Sequence, residues 1–169
     1  MDVVPFGLRE VKIVPATGSA VSLAAAQTLS FTERIQTAEL RGNDKIVSVN
    51  SQSEAVEWSL ESGGISLAAY AALTGRTAVD AGTTPNRTTT LGGNGGDNFP
   101  YVKIYGKALG EGIDDVHCKL YKAKVTSIQG SFQNGGFFVQ QCSGIAVDDG
   151  TNGVFDFVVN ETAATLPTT

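Results

Sequence analysis

The sequence predicts a mainly β subunit, sandwich- or barrel-like, carrying one short helix. Three observations lead there. Runs that alternate apolar and polar residues recur along the chain, turns rich in Gly and Asn separate them, and a single stretch, 66–75 (S-L-A-A-Y-A-A-L-T-G), reads as helix. Ala and Leu favour helix, and Gly75 sits where a left-handed C-cap is common. So short a helix does not stand alone in water. It is expected to span about 65–75 and to close a β-structure by packing Leu67, Tyr70, Ala71 and Leu73 against a sheet.

The elements follow in order. Residues 1–28 read as an N-terminal arm, with Val11-Lys12-Ile13-Val14 a short strand, Pro15-Ala16-Thr17-Gly18 a turn, and 21–27 an extended segment lying on a neighbouring surface. Residues 29–40 read as strand, with a slip in alternation between Ile35 and Leu40 of the kind a bulge produces. Arg41-Gly42-Asn43-Asp44 supplies turn chemistry and 45–49 resumes as strand, a hairpin pattern. In 55–61, Val56, Trp58 and Leu60 face one side and Glu57, Ser59 and Glu61 the other. Beyond the helix, 76–98 is a Gly/Thr-rich loop expected to hide a strand at 87–91. Strands are then expected at 101–107, 116–128, 137–146 and 154–159, with Asp148-Asp149-Gly150-Thr151-Asn152-Gly153 as a hairpin turn before the last. The polar stretch 161–169 reads as a flexible C-terminal tail that frays or docks on a partner.

The 169 residues suit one domain, divided here into the arm 1–28, a β domain 29–160 and the tail 161–169. Charged residues make up 17% of the chain, below the usual value of about 25%, which fits a surface partly covered in an assembly. The net charge of −5 comes with no basic patch, Lys119, Lys122 and Lys124 being the nearest thing to one. Affinity for nucleic acid or anionic membrane is therefore not expected, whereas an acidic chain suits a protein that lies near DNA without holding it. Cys118 and Cys142 read as reduced, buried thiols. The start M-D-V-V-P-F-G lacks a secretory pattern and no apolar run approaches a membrane span, so a soluble chain made in a cytoplasm is expected.

Chemistry-bearing clusters are sparse. Asp114-Asp115-x-His117 has poor zinc spacing, and 148–153 lacks the alternating ligands and terminal Glu of a calcium loop. Gly92-Gly93-Asn94-Gly95-Gly96 is followed by no Lys-Ser/Thr pair, so it reads as a loop and not as a phosphate cradle. With one His and no nucleophile elbow, an enzyme is not expected, nor a cofactor or metal. Glu57 and Glu61 read as a polar wall and Trp58 as core.

The run Glu39-Leu40-Arg41-Gly42-Asn43-Asp44-Lys45, then Val56-Glu57-Trp58-Ser59-Leu60-Glu61, then Gly64-Ile65-Ser66-Leu67 through Leu73-Thr74-Gly75, resembles major tail tube proteins of long-tailed bacteriophages. Phe99-Pro100-Tyr101-Val102-Lys103-Ile104-Tyr105-Gly106-Lys107, Val116-His117-Cys118-Lys119-Leu120-Tyr121-Lys122-Ala123-Lys124 and Gly136-Phe137-Phe138 follow in the same order. The resemblance covers roughly 29–160 and is one of element order, not of a tight motif. It implies a virion protein, assembled in the host cytoplasm, whose six-subunit rings join their inner strands into one β-barrel and stack into a tube that conducts DNA. Its implied partners are copies of itself, the tape-measure protein and DNA in the lumen, tail terminator and baseplate or tip proteins, and in a contractile system a sheath. On that basis Glu33, Glu39, Glu57, Ser59 and Glu61 are candidates for a negatively charged lumen, a ring of six carrying about −30. Val11, Ile13, Val21, Leu23, Arg76 and Arg87 are candidates for contacts within and between rings. The alternatives are the inner tube of a contractile injection system, and a monomeric β-sandwich binding module for carbohydrate or protein using Tyr101, Tyr105 and Tyr121 as a platform.

Overall fold

A computed structural model describes residues 3–23, 25–110, 112 and 114–169. Among these residues it is mainly β: ten strands and one helix. The strands are β1 (Phe6–Pro15), β2 (Val21–Ser22), β3 (Ala26–Gly42), β4 (Lys45–Gly63), β5 (Val79–Ala81), β6 (Thr88–Thr90), β7 (Val102–Leu109), β8 (Asp115–Ser131), β9 (Val139–Ala146) and β10 (Phe155–Asn160), with α1 (Leu67–Thr74) between β4 and β5. The main sheet is antiparallel throughout, in the order β2-β1-β7-β8-β9-β4-β3, and does not close.

Strand β8 organises it. One edge of its first half pairs with β7, while the other edge carries β10 along the first half and β9 along the second. Two sheets thus share β8: β2-β1-β7-β8-β10, and β8-β9-β4-β3. Their inner faces meet over a core of Val11, Ile13, Val56, Trp58, Leu60, Val102, Ile104, Leu120, Val125 and Ala146, the sandwich-like arrangement expected.

The helix lies where the sequence places it. Ser66 accepts a hydrogen bond from the Ala69 amide at 3.2 Å as N-cap, and Gly75 ends the helix at φ 71° with its N–H on the Ala71 carbonyl. Its buried side is Ala69, Ala72, Leu73 and Thr74; Leu67, Tyr70 and Ala71 are half-buried. The small Ala side chains let α1 sit close on β1 and β2, which is why the bulkier Leu67 and Tyr70 stay toward the rim.

Several expectations are corrected. The arm at 1–28 is instead part of the fold, although positions 1, 2 and 24 lie outside the described residues: β1 pairs with β7 along its length, and Val11 and Ile13 are fully buried. The 161–169 tail is held down: Leu166 packs against Val14 and Tyr105, Lys12 Nζ donates to the Leu166 carbonyl at 3.3 Å, and Tyr105 Oη donates to the Thr169 carbonyl at 3.2 Å. The 148–153 turn does not make a hairpin. Both β9 and β10 pair antiparallel with the same edge of β8, so the turn carries the chain onward along that edge. Asp148 and Asp149 fix it by accepting from the amides of Gly150, Thr151 and Asn152.

Candidate functional site

The shared strand β8 and its neighbours leave one sheet face outside the core. Register places Thr28, Ser30 and Thr32 of β3 opposite Glu61, Ser59 and Glu57 of β4. These lie opposite Gln141, Ser143 and Ile145 of β9, which lie opposite Gln129, Ser127 and Lys124 of β8. Cross-strand partners share a face, so this is one continuous surface of hydroxyls and amides backed by Trp58 and Leu60 on the core side. A shallow groove of about 400 Å³ runs through it, lined by Ser30, Thr32, Glu57, Ser59, Thr126 and Ser143 among others.

Glu57, Ser59 and Glu61 therefore share a face, as the alternation predicts. Glu33 and Glu39 do not join them. They oppose Val56 and Val49, which puts them on the other side of the hairpin, because the bulge at Arg34/Ile35 inserts its extra residue in β4 and leaves the alternation of β3 unbroken. The wall is also closer to neutral than expected. Arg34 pairs with Glu57, and Lys124 stands on the same face, while Glu61 makes no ion pair among the described residues.

Both edges of this half-sheet are bare. Among the described residues β3 pairs only with β4, and the 124–131 portion of β8 pairs only with β9. The strands alternate in direction across β3, β4, β9 and β8, so the two bare edges run antiparallel to each other.

A second exposed feature is the distal part of the β3–β4 hairpin. Strand β4 meets β9 only from Val56 to Gly63, so its first half pairs with β3 alone and projects from the body as a two-stranded ribbon. Its residues are exposed throughout, including Ile35, Leu40, Ile46, Val47 and Val49. The turn at its tip has Asn43 and Asp44 at φ 50° and 60°, the geometry that Asn and Asp tolerate in tight hairpins.

The remaining candidates have internal roles. Val11, Ile13 and Leu23 are core residues, unavailable to a neighbouring copy, and Val21 packs against that core. Arg76 bonds Asp97 at 2.8 Å and stacks over Phe99 at 5.4 Å, bracing the 76–98 loop. Arg87 pairs with Asp80 across the small exposed hairpin of β5 and β6, whose second strand falls within the one expected at 87–91. The Tyr platform is not formed: Tyr105 is buried and Tyr121 donates to Asp156, leaving Tyr101 as its exposed member.

Asp115 and His117 form a structural clamp. Asp115 is fully buried, with Lys107 Nζ at 2.8 Å, Asn160 Nδ2 at 2.6 Å, the Ala164 amide at 2.7 Å and His117 Nε2 at 3.3 Å. Burial alone would raise its pKa, but Lys107, Ala164, Asn160 and His117 outweigh that and hold the carboxyl well below the usual carboxylate range. This clamp, which ties the C-terminal segment to β7 and β8, had no signal in the sequence beyond an apparently poor metal cluster. Burial pushes the Cys118 and Cys142 thiols up to about 11, so both are protonated at neutral pH.

No family model matches the chain, and no curated protein matches it. Among solved structures, a chain of the anti-feeding prophage baseplate, determined by cryo-EM and six-fold symmetrised, has a TM-score of 0.46 and 12% identity, covering 95% of this chain and 96% of that one. At that level no property of the baseplate passes to this chain.

Proposed function

We propose that this chain is a structural subunit of a phage-type tail tube, with the β3-β4-β9-β8 half-sheet as the tube wall and its hydroxyl-rich face as the lumen. The observation that carries the reading is the pair of bare, oppositely directed edges on that half-sheet. Rotation about an axis parallel to the strands brings β3 of one copy beside β8 of the next in antiparallel register, and a closed ring removes both free edges of this half-sheet. Six copies contributing four strands each would make a barrel of about 24 strands, larger than the 22-stranded barrels whose lumen already holds a plug. Such a bore admits DNA and a tape-measure protein.

The wall suits passage because it does not grip. Its polar side chains are mostly Ser, Thr and Gln, and its cations Arg34 and Lys124 are balanced by Glu57 and Glu61. The outer sheet carries Lys12, Lys103, Lys107 and Lys119, away from that face. The element order that resembles tail tube proteins supports the same reading. Terminator and tip proteins would then cap the stack in the virion, and in a contractile system a sheath would surround it. The subunit is not an enzyme in this reading and needs no cofactor.

Light scattering and negative-stain microscopy on the purified full chain test it. Rings or tubes with a central bore are the expected result. A strictly monomeric species at all concentrations overturns it, and glycan binding by that monomer would favour a binding module.

A further inference from the structure

The outer face of the sheet β2-β1-β7-β8-β10 gathers an amine, a carboxamide and a carboxylate in one buried place. Asp115 and His117 lie on this face of β8, two residues apart. Register sets Asn160 of β10 opposite Asp115, and Lys107 of β7 opposite His117. Asp115 is the one buried carboxylate among the described residues, at 0% exposure. Its two oxygens are shared between side chains that arrive from the strands on either side of it. Oδ2 stands 2.8 Å from Lys107 Nζ, and Oδ1 accepts from Asn160 Nδ2 at 2.6 Å. The C-terminal segment closes the site: the Ala164 amide donates to Oδ2, and Lys107 Nζ donates to the Ala164 carbonyl.

An amine and a carboxamide held against one buried carboxylate are two reactants and a proton carrier. Amides are inert to amines in free solution. Fixed, aligned reactants gain an effective concentration of about 10⁵ M or more, and a Lys freed of its proton is a nucleophile.

We propose that Lys107 and Asn160 join through an intramolecular isopeptide bond, with Asp115 carrying the proton. Asp115 takes one proton from the Lys107 ammonium across their contact, and the freed amine attacks Asn160 Cγ. The Nζ–Cγ bond forms and the Cγ–Nδ2 bond breaks. One Nζ proton stays on the new amide; the other, together with the proton Asp115 holds, leaves on Nδ2 as ammonium. Asp115 ends as the carboxylate it began as, and nothing is oxidised or reduced. Because that carboxyl is held well below the usual range, the charged pair is the resting state and the neutral amine a minor population. The bond therefore forms slowly in the folded chain and accumulates as ammonium is lost to solvent.

The product ties β7 to β10 across β8. Among the described residues β10 pairs with β8 alone, so the bond fixes the strand with the least support, and with it the start of the segment that Leu166 anchors. A tie between positions 107 and 160 also restricts the unfolded chain, as a disulfide does. It needs no second copy and forms in a monomer or a ring alike.

Intact-mass spectrometry of the full chain, purified and aged in its folded state, reads the bond directly. Most of the chain is expected to weigh about 17 Da less than its sequence, the mass of one ammonia. Trypsin should no longer cut after Lys107, and the peptide that contains it should be joined to the one that contains Asn160. Cyclisation at Asn94-Gly95, Asn134-Gly135 or Asn152-Gly153 loses the same mass, and two variants exclude it. Lys107→Arg keeps a cation beside Asp115, and Asn160→Ala changes a half-buried position at the end of a strand. Both are expected to fold and to keep their full mass. A wild-type chain at full mass after ageing overturns the bond, as does an equal loss that persists in either variant or appears without the joined peptide.

Discussion

At the scale of single residues, close approach and buried charge decide most. Gly144 of β9 lies between β4 and β8, and a Cβ there would stand 2.0 Å from the Lys124 carbonyl oxygen and 2.7 Å from Trp58 Cζ2. Neither neighbour yields readily, one being backbone and the other a buried ring. Gly144→Ala is therefore expected to destabilise by about 1–3 kcal/mol, read from the urea midpoint. Asp115 makes a different prediction. Its folded pKa lies below its unfolded value, so its stabilisation is complete above about pH 4 and declines as pH falls from there toward the folded value. Asp115→Ala should remove that acid-limb dependence in urea titrations. It should also lower stability at neutral pH by about 3–5 kcal/mol, because Lys107 is left without its buried partner. The sequence could not reveal this clamp: Lys107, Asn160 and Ala164 come from β7, the end of β10 and the chain end, and only folding joins them. Of the two thiols expected to be buried, Cys142 is and Cys118 is half-buried, both standing in strands as their surroundings suggest. Native-state alkylation at pH 7 should be slow at both and rise sharply in denaturant.

At the scale of elements, local patterns predicted well and pairing did not. The helix could be located because cap, composition and Gly75 agree on one boundary, and Ser66→Ala should destabilise by about 0.5–2 kcal/mol in the same urea assay by removing the Ala69 amide's acceptor. The alternation of 55–61 gave the two faces of β4 for the same reason. The reading of 1–28 as an arm failed because Val11 and Ile13 show only a short apolar run; that β1 is an inner strand depends on β7 arriving nearly a hundred residues later. Glu33 and Glu39 were expected on the wrong face because the apparent slip between Ile35 and Leu40 was read as a break in β3, whereas the bulges at Arg34/Ile35 and Leu40/Arg41 both insert their extra residue in β4 and β3 keeps one alternation that sets Glu33 and Glu39 with Leu29 and Phe31. The length of the ribbon was equally hidden, since Ser and Gln at 50–54 read as a break between strands although β4 runs through them. Amide hydrogen exchange should separate ribbon from body: in dilute protein the amides of 35–53 exchange much faster than those of the paired 56–63 segment.

At the scale of the whole molecule, the two faces and two edges of one half-sheet divide the work, and substitutions on each should have opposite consequences. Glu57 and Glu61 face solvent on the polar side, so replacing both with Gln removes charge there and breaks only one exposed ion pair, Arg34–Glu57. Rings should form with unchanged symmetry, and subunit stability should stay within about 0.5 kcal/mol, as for other surface changes. The edge behaves otherwise. Thr126 is the extra residue in the β8 bulge between Val125 and Ser127, so no β9 residue stands opposite it in register, although its hydroxyl donates to the Ser143 carbonyl at 3.3 Å, and it lies on the stretch whose other edge is bare. Bulges and open edges are where a strand tolerates Pro, whose missing N–H and fixed φ block further pairing. Thr126→Pro is thus expected to leave a folded chain, with a melting temperature close to that of the wild type, that no longer closes into rings by light scattering or negative stain. Rings that survive Thr126→Pro would place the junction elsewhere on the subunit. Loss of rings in the Glu57→Gln/Glu61→Gln chain would mean that the polar face itself makes the contact and is not a lumen.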